Sequence, residues 1–298
     1  MAKSVMCCFP ALYVVRRYVG TSVSEILPSA AATVFKKAGA AYNETMASCI
    51  HWYDELDSTN DQLKRLLAQD PQLPEGTVVA ARYQTAGRGR DGRSWLSEPD
   101  TNLMFSLLVR GRKSDESPAT LTLAVGVGIA RFLKERHKLH ISLKWPNDVL
   151  IEGKKICGIL CEAAVEPGGS ADSPSFIVGV GLNVNMSCQQ AGRIDQPATS
   201  LLLETGGRFP SEEILADVLG ELTKTLASWQ QQGFMALRET WLSLCGHVGQ
   251  SVRFRLPGDQ CVEGTFAGIE ARGQALLRQT DGRVIEVLTG DLITPSGR

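Results

Sequence analysis

Short apolar runs and stretches with a helical repeat follow one another along the chain in an order that outlines a fold. Runs at 50–53, 77–83 (TVVAARY) and 102–109 (NLMFSLLV) read as strands, as do 141–144, 149–151, 156–165 and 176–184. After the first run, Asp57-Ser58-Thr59-Asn60 supplies helix caps ahead of Leu63, Leu66 and Leu67, which share one helical face. A second helix opens at Pro118, a residue suited to a first turn, and its stripe of Leu121, Val125, Ile129, Phe132 and Leu133 marks it as core. A third spans 211–232, with Glu212 and Glu213 placed where carboxylates favour the helix dipole. The turn Glu152-Gly153-Lys154 joins two strands as a hairpin. Beyond Gly246 the pattern shifts to short segments (VRFRL, VEGTFAGI, ALLRQ, VIEVL) broken by PGDQ and TDGR. That rhythm predicts a small β-barrel of SH3-like size. The expected class is α+β: a mixed β-sheet flanked by helices over 49–245, then a C-terminal SH3-like β-barrel over 246–298.

Composition narrows the function classes. With 31 Lys+Arg against 32 Asp+Glu in 298 residues, the net charge of −1 lacks the basic excess of a general nucleic-acid or membrane-surface binder. Neither nucleic acid nor membrane is expected as a partner, since no apolar run approaches the roughly 20 residues that span a bilayer. The eight cysteines form no C-x-x-C pair and have no His at ligand spacing, so reduced thiols, an intracellular setting and no structural zinc are expected. Residues 1–48 differ from the rest, with Lys3, Arg16, Arg17, Lys36 and Lys37 against only Glu25 and Glu44. An organellar transit peptide, a disordered or loosely docked extension, and a degenerate helix-turn-helix around SVSEILPSAAATVFKKA are the alternatives there. The chain is expected in the cytoplasm, or in mitochondrion or plastid if this leader is a transit peptide.

The stretch 87–94, GRGRDGRS, fits two nucleotide-binding patterns on paper. Both need a strand before the loop and a helix after it. The strand is there, but the gap from Arg93 to Thr101 holds Pro99 and leaves no room for a crossover helix. Arg93 also stands where a P-loop requires lysine. What remains is a glycine loop bearing Arg88, Arg90 and Arg93, suited to anionic groups. Three further polar stretches end apolar strands: DSTN (57–60), KWPND (144–148) with GKKICGIL (153–160), and GVGLNVN (179–185). Together they bring hydroxyls, amides and cations fit to hold a neutral polar heterocycle and a nucleotide.

These motifs, G-R-G-R-x-G-R-x-W, K-W-P-N-D, K-x-x-G-I-L-x-E and G-x-G-x-N, resemble those of the biotin protein ligases, or holocarboxylase synthetases, in order and approximate spacing over residues 50–298. The resemblance implies a catalytic domain like that of the class II aminoacyl-tRNA synthetases. It also implies an ATP-dependent reaction in which biotin becomes biotinyl-5′-AMP and then passes to a lysine of a biotin carboxyl carrier domain, as in acetyl-CoA carboxylase. Catalytic roles are implied for Lys155, Arg90 and Arg88. Biotin would be held by Ser58, Thr59, Asn60 and Gln84, by Gly87, Arg88, Gly89 and Arg90 of the loop, and by Lys155, Gly158 and Gly181. ATP would meet Arg90, Arg93, Trp95, Asn147 and Asn183, with Trp95 a wall for adenine. Mg²⁺ would arrive with ATP, and its protein ligands are unknown beyond the candidate Asp148. A homodimer is compatible with the family. The alternatives are a lipoate or octanoyl ligase or transferase, disfavoured by the polar pocket residues, and a biotin-responsive DNA-binding repressor, for which residues 1–48 are short.

Overall fold

The structure, a computed structural model, describes residues 14–19, 22–25, 49–111, 117–164, 174–258 and 260–293. Nine of its strands form one mixed sheet. In chain order they are β1 (Val14–Val19), β2 (Ser22–Glu25), β3 (Cys49–Leu56), β4 (Val78–Gln84), β5 (Asn102–Arg110), β6 (Ile141–Lys144), β7 (Asp148–Ile151), β8 (Lys154–Ala164) and β9 (Ser175–Asn183). Their order across the sheet is β2-β1-β3-β4-β5-β9-β8-β7-β6, with β1, β3 and β4 mutually parallel and the other pairs antiparallel.

Helix α1 (Thr59–Gln69) makes the crossover between parallel β3 and β4, and Ser58 caps it by accepting the Asp61 N–H. Helix α2 (Pro118–His137) begins in a capping box of Ser117 and Thr120 and ends at Lys138, whose φ of 57° is left-handed. It packs on the opposite face of the sheet together with α5 (Ser211–Gln232) and α6 (Met235–Leu244). The strand period sorts residues between these two layers: Val78, Ala80, Leu107 and Val178 join the large core under α2, whereas Val79, Leu108 and Ile177 meet Leu63 and Leu67 of α1.

Two short helices, α3 (Cys188–Ala191) and α4 (Leu201–Thr205), and the ten-residue α6 lie outside the elements the periodicity predicts. The first two are too brief to show a repeat, and their serine caps, Ser187 and Ser200, act through hydrogen bonds to Gln190 N and Leu203 N. At the N-terminal side, β1 and β2 extend the sheet edge beyond β3. Ser22–Glu25 is thus a strand where the helix-turn-helix alternative needs a helix. The rest of that stretch, and the transit-peptide expectation, fall outside the described residues.

The C-terminal part is a five-stranded antiparallel sheet ordered β13-β12-β11-β10-β14. Its strands are β10 (Ser251–Arg255), β11 (Cys261–Ile269), β12 (Ala275–Arg278), β13 (Val284–Val287) and β14 (Asp291–Ile293). Trp145 seats it on the larger layer. That side chain is 2% exposed, its Nε1–H donates to Gly273 O at 3.0 Å, and its ring meets Phe254 edge-on at 5.4 Å. Apolar residues of both parts consequently form one continuous core. Among the described residues no helix is long and apolar enough to cross a membrane.

Candidate active site

On the α1 face of the sheet, side chains vanish where β8 and β9 run side by side. Going along β9 on that face, buried Ile177 is followed by Gly179 and Gly181, and across on β8 their partners are Leu160 and Gly158. The missing side chains leave a trough between α1 and the glycine loop. It widens into a cavity of about 490 Å³, within the usual span of roughly 300–1,000 Å³ for small-molecule sites.

One end is closed by the first turn of α1. Ser58, Thr59 and Asn60 border the cavity and are all nearly buried. The Gln84 Oε1 accepts the Thr59 N–H at 2.7 Å, which fixes the amide so that its NH₂ is left for a ligand. The Ser106 hydroxyl lies 2.8 Å from Thr59 Oγ1 and 2.5 Å from Asn60 Oδ1. Asn60 is fully engaged: its Nδ2 also donates to Leu160 O at 3.3 Å and to Glu162 Oε2 at 2.7 Å. Its side chain lies so close over Gly179 that a Cβ there would come within 2.4 Å of Asn60 Oδ1. Asn60 therefore builds the pocket floor and has no donor left over for a ligand.

The glycine loop crosses the trough. No helix follows it, only the 3-10 turn Arg90–Gly92, with Asp91 at φ 55° and Gly92 at φ 74°. Both angles lie in the left-handed region, which Gly adopts freely and Asp tolerates. The loop is pinned as a narrow hairpin by Trp95 N–H to Gly87 O at 2.9 Å and Gly89 N–H to Arg93 O at 2.6 Å. Gly87 serves this hairpin and does not line the cavity: a Cβ there would stand 2.7 Å from Trp95 O. Gly89 does line it.

The three arginines diverge. Arg88 turns toward α1, where its NH2 donates to Asp61 Oδ1 at 2.6 Å and to Glu162 Oε2 at 3.3 Å. Arg90 reaches Asn147 Oδ1 at 3.5 Å and Gly290 O at 3.4 Å. Arg93 pairs with Asp291 on β14, and Arg255 of β10 stands 3.4 Å from the same carboxylate. Burial alone would raise the Asp291 pKa, but the hydrogen bond and charge of Arg93, with Arg90 and Arg255 behind it, hold it below the usual carboxylate range. An anion thus already sits among three guanidinium groups at this end.

Lys155 stands between the two ends. Its Nζ is 2.6 Å from Asp148 Oδ1, each side chain 15% exposed, and 5.6 Å from the Trp95 ring centroid. That Asp148 oxygen is buried and off the line of any hydrogen bond. It suits a Mg²⁺ ion that takes most of its ligands from phosphate and water, although no group of three or more metal-ligating side chains occurs among the described residues. Lys144, at the start of K-W-P-N-D, also lines the cavity, and burial pushes its ammonium below the ordinary lysine range.

Trp95 lines the cavity from the side of the glycine loop. Its indole covers Gly158 and Gly181, and its buried Nε1–H has no acceptor among the described residues. Asn183, expected at the nucleotide, is 2% exposed, lines no part of the cavity, and donates from Nδ2 to Thr199 O at 2.9 Å and Lys155 O at 3.3 Å. It positions the strand that carries Lys155. Asn147 lines the cavity, with Nδ2 donating to Ile159 O at 2.8 Å. The sequence reading missed Lys144, Asp291, Arg255 and the Asp195–Pro197 segment as cavity walls. Only Lys144 carried a local signal, its place in a quoted motif.

Comparison with known proteins agrees with this geometry. Residues 52–183 match the biotin/lipoate A/B protein ligase family, and residues 247–292 match the biotin protein ligase C-terminal domain. A biotin–[acetyl-CoA-carboxylase] ligase of Paracoccus denitrificans is 33% identical over 77% of this chain and 94% of its own. The bifunctional ligase/repressor BirA of Bacillus subtilis is 31% identical over 80% of this chain and 72% of its own. The solved structure of the Aquifex aeolicus biotin protein ligase in complex with biotin and ATP superposes with a TM-score of 0.69 at 32% identity, covering 82% of this chain and 97% of that one.

Proposed function

The chain belongs to the biotin protein ligase family, and from that premise we propose that it activates biotin with ATP and transfers the biotinyl group to a lysine of a biotin carboxyl carrier domain, such as that of acetyl-CoA carboxylase. The observation that carries this is the position of Lys155, at the junction of a glycine-floored trough and an arginine cluster, with each end chemically matched to one substrate.

The capped end takes the ureido ring. Biotin offers two N–H donors and one carbonyl, and the hydroxyls of Ser58 and Thr59 with the Gln84 amide supply both kinds of partner. A buried urea left unpaired would lose about 1–3 kcal/mol per group, so these contacts select for biotin over an apolar acid such as lipoate. The valeryl chain then runs along the Trp95 indole, which lies on Gly158 and Gly181, bringing its carboxylate toward Lys155. At the other end Arg90, Arg93 and Lys144 face the triphosphate, and Arg255 and Asp291 bring the C-terminal sheet into the same wall.

In the first step a biotin carboxylate oxygen attacks the α-phosphorus, pyrophosphate leaves, and a mixed anhydride results. Negative charge grows between two anions, and the Lys155 ammonium stabilises it there. Mg²⁺ held by Asp148 and phosphate oxygens would add charge neutralisation on the triphosphate. The glycine loop, held over the trough, keeps water from the anhydride. In the second step a neutral lysine amine attacks the anhydride carbonyl, AMP leaves, and an amide forms. Neither nucleic acid nor a second copy of the chain takes part in either step of this chemistry.

The test is intact-mass analysis of a recombinant carrier domain incubated with the protein, biotin, ATP and Mg²⁺. One biotinyl addition at one lysine, dependent on ATP, is expected. Absence of biotinylation with a folded acceptor, or addition of lipoate in its place, would overturn the proposal.

A further inference from the structure

Glu162 touches both halves of the biotin end at once. It lies on β8 opposite Ile177, on the face of the sheet that bears the trough. Its Oε1 accepts from Lys64 Nζ at 2.8 Å. Its Oε2 accepts from Asn60 Nδ2 at 2.7 Å and from Arg88 NH2 at 3.3 Å. Through Asn60 the carboxylate grips the first turn of α1, where Ser58 and Thr59 stand; through Arg88 it grips the glycine loop. Asp61 strengthens only the second grip, with its Oδ1 2.6 Å from Arg88 NH2.

This explains why Arg88 points away from Lys155 and the phosphate end: its guanidinium is spent on two carboxylates of the scaffold. We propose that Glu162 is a positioning residue which, by holding Arg88 and Asn60 together, ties closure of the glycine loop to the geometry of the ureido-binding corner. The inference rests on the biotin-ligase proposal for its consequences in catalysis, but the tether itself is a property of the unliganded protein. Arg88 then acts as an anchor, and charge stabilisation at the reacting phosphate falls to Lys155, Arg90 and Arg93. Burial opposes ionisation of Glu162, but its hydrogen bonds to Lys64 and Asn60 and the charges of Lys64 and Arg88 outweigh it and hold the carboxyl below its usual range. The tether is therefore charged at neutral pH.

The variant Glu162→Gln keeps the shape and an acceptor for Asn60 while removing the charge that holds Arg88. Two readouts separate the tether from the reaction. Hydrogen exchange of the loop amides of Gly89, Arg93 and Trp95, without ligand, should speed up about tenfold, the size of one lost charge-assisted hydrogen bond at a half-exposed position. In ATP–pyrophosphate exchange, KM for biotin should rise by about tenfold while kcat changes by less than about threefold, and biotinyl-5′-AMP should escape to label unrelated lysines. A purely structural role would lower thermal stability without producing this split. Adding Arg88→Gln to Glu162→Gln should cost less than Arg88→Gln does alone, because the two variants share the Arg88–Glu162 contact while the Arg88–Asp61 contact is lost only with Arg88.

If Glu162→Gln folds poorly, Asp61→Asn, which leaves the Glu162–Asn60 contact intact, should speed the same amides. Unchanged loop exchange in a folded Glu162→Gln, or in Asp61→Asn where the first variant does not fold, would overturn the tether, as would full additivity with Arg88→Gln. If the wild-type protein shows no biotin-dependent exchange, the ligase proposal falls, and the amide measurement still decides whether Glu162 holds the loop.

Discussion

The indole of Trp95 occupies the space that a side chain at Gly181 would need: a Cβ there would stand 2.4 Å from Trp95 Cε2. Gly158 yields to the same ring, with a Cβ 2.9 Å from Trp95 Cζ3. Two adjacent strands therefore lack side chains so that one aromatic wall and a ligand can approach their backbone. Gly181→Ala should displace the indole, weaken biotin binding by about a hundredfold, and leave the fold intact, because the cost falls on one local contact. Titration calorimetry with biotin and near-ultraviolet circular dichroism check this. An alanine variant with wild-type affinity would mean the trough does not hold the ligand.

Removing the Lys155 ammonium should slow adenylate formation by about 10²–10³, as for loss of one preorganised charge partner in a transition state. Lys155→Ala also strands Asp148, which lies 2.6 Å away in a site where both side chains are 15% exposed. An unpaired buried carboxylate is costly, so some loss of stability is expected in the single variant. Lys155→Ala with Asp148→Asn should recover stability and remain inactive. Recovered activity in the double variant would move the catalytic cation elsewhere.

Much of this was legible beforehand because periodicity reports burial directly. The strands from β3 to β9, the long helices and the Ser58 cap all follow from apolar spacing and turn residues that depend on nearby sequence. The site was legible in part through its motifs, which place Lys155, Arg90, Gly89, Gly158 and Gly181 along the same cavity. Direction was not legible. That Arg88 faces Asp61, and that the Trp95 indole lies over Gly181, depends on contacts between residues far apart in the chain. Asp291 shows the same limit, since nothing in the sequence of β14 marks it as the partner of Arg93.

The C-terminal sheet should prove inseparable from the catalytic layer. Trp145, 2% exposed, hydrogen bonds Gly273 O and packs on Phe254, so cutting the chain at Gly246 would uncover a continuous core. Trp145→Ala should cost about 3–5 kcal/mol, the usual range for emptying a buried aromatic site. Chemical denaturation should show a single transition at lower denaturant. Two transitions, with the first confined to the C-terminal part, would contradict this coupling.

Acid should erode a defined contribution at the start of α1. Arg65, by a hydrogen bond to Asp57, holds the Asp57 carboxyl down to about 2 against burial, which acts the other way. A depressed folded value means the contribution is complete above the unfolded value near 3.8 and is lost as pH falls toward about 2. Both side chains are nearly half exposed, so solvent screening limits the pair to about 1 kcal/mol or less. Asp57→Asn should be less stable than wild type by that amount at pH 7, with the gap closing as pH falls from about 4 to about 2. A gap that persists unchanged at the acid end would rule out the ion pair as its origin.

ATP–pyrophosphate exchange, with biotin, lipoate and octanoate supplied separately, tests the central claim most directly, because it reads acid activation without requiring any acceptor protein. Ser58, Thr59 and Gln84 offer partners to a urea that neither lipoate nor octanoate possesses. Exchange should therefore depend on biotin, with the other two acids lower by about a hundredfold or more. Exchange driven by lipoate or octanoate, with biotin inert, would contradict the account.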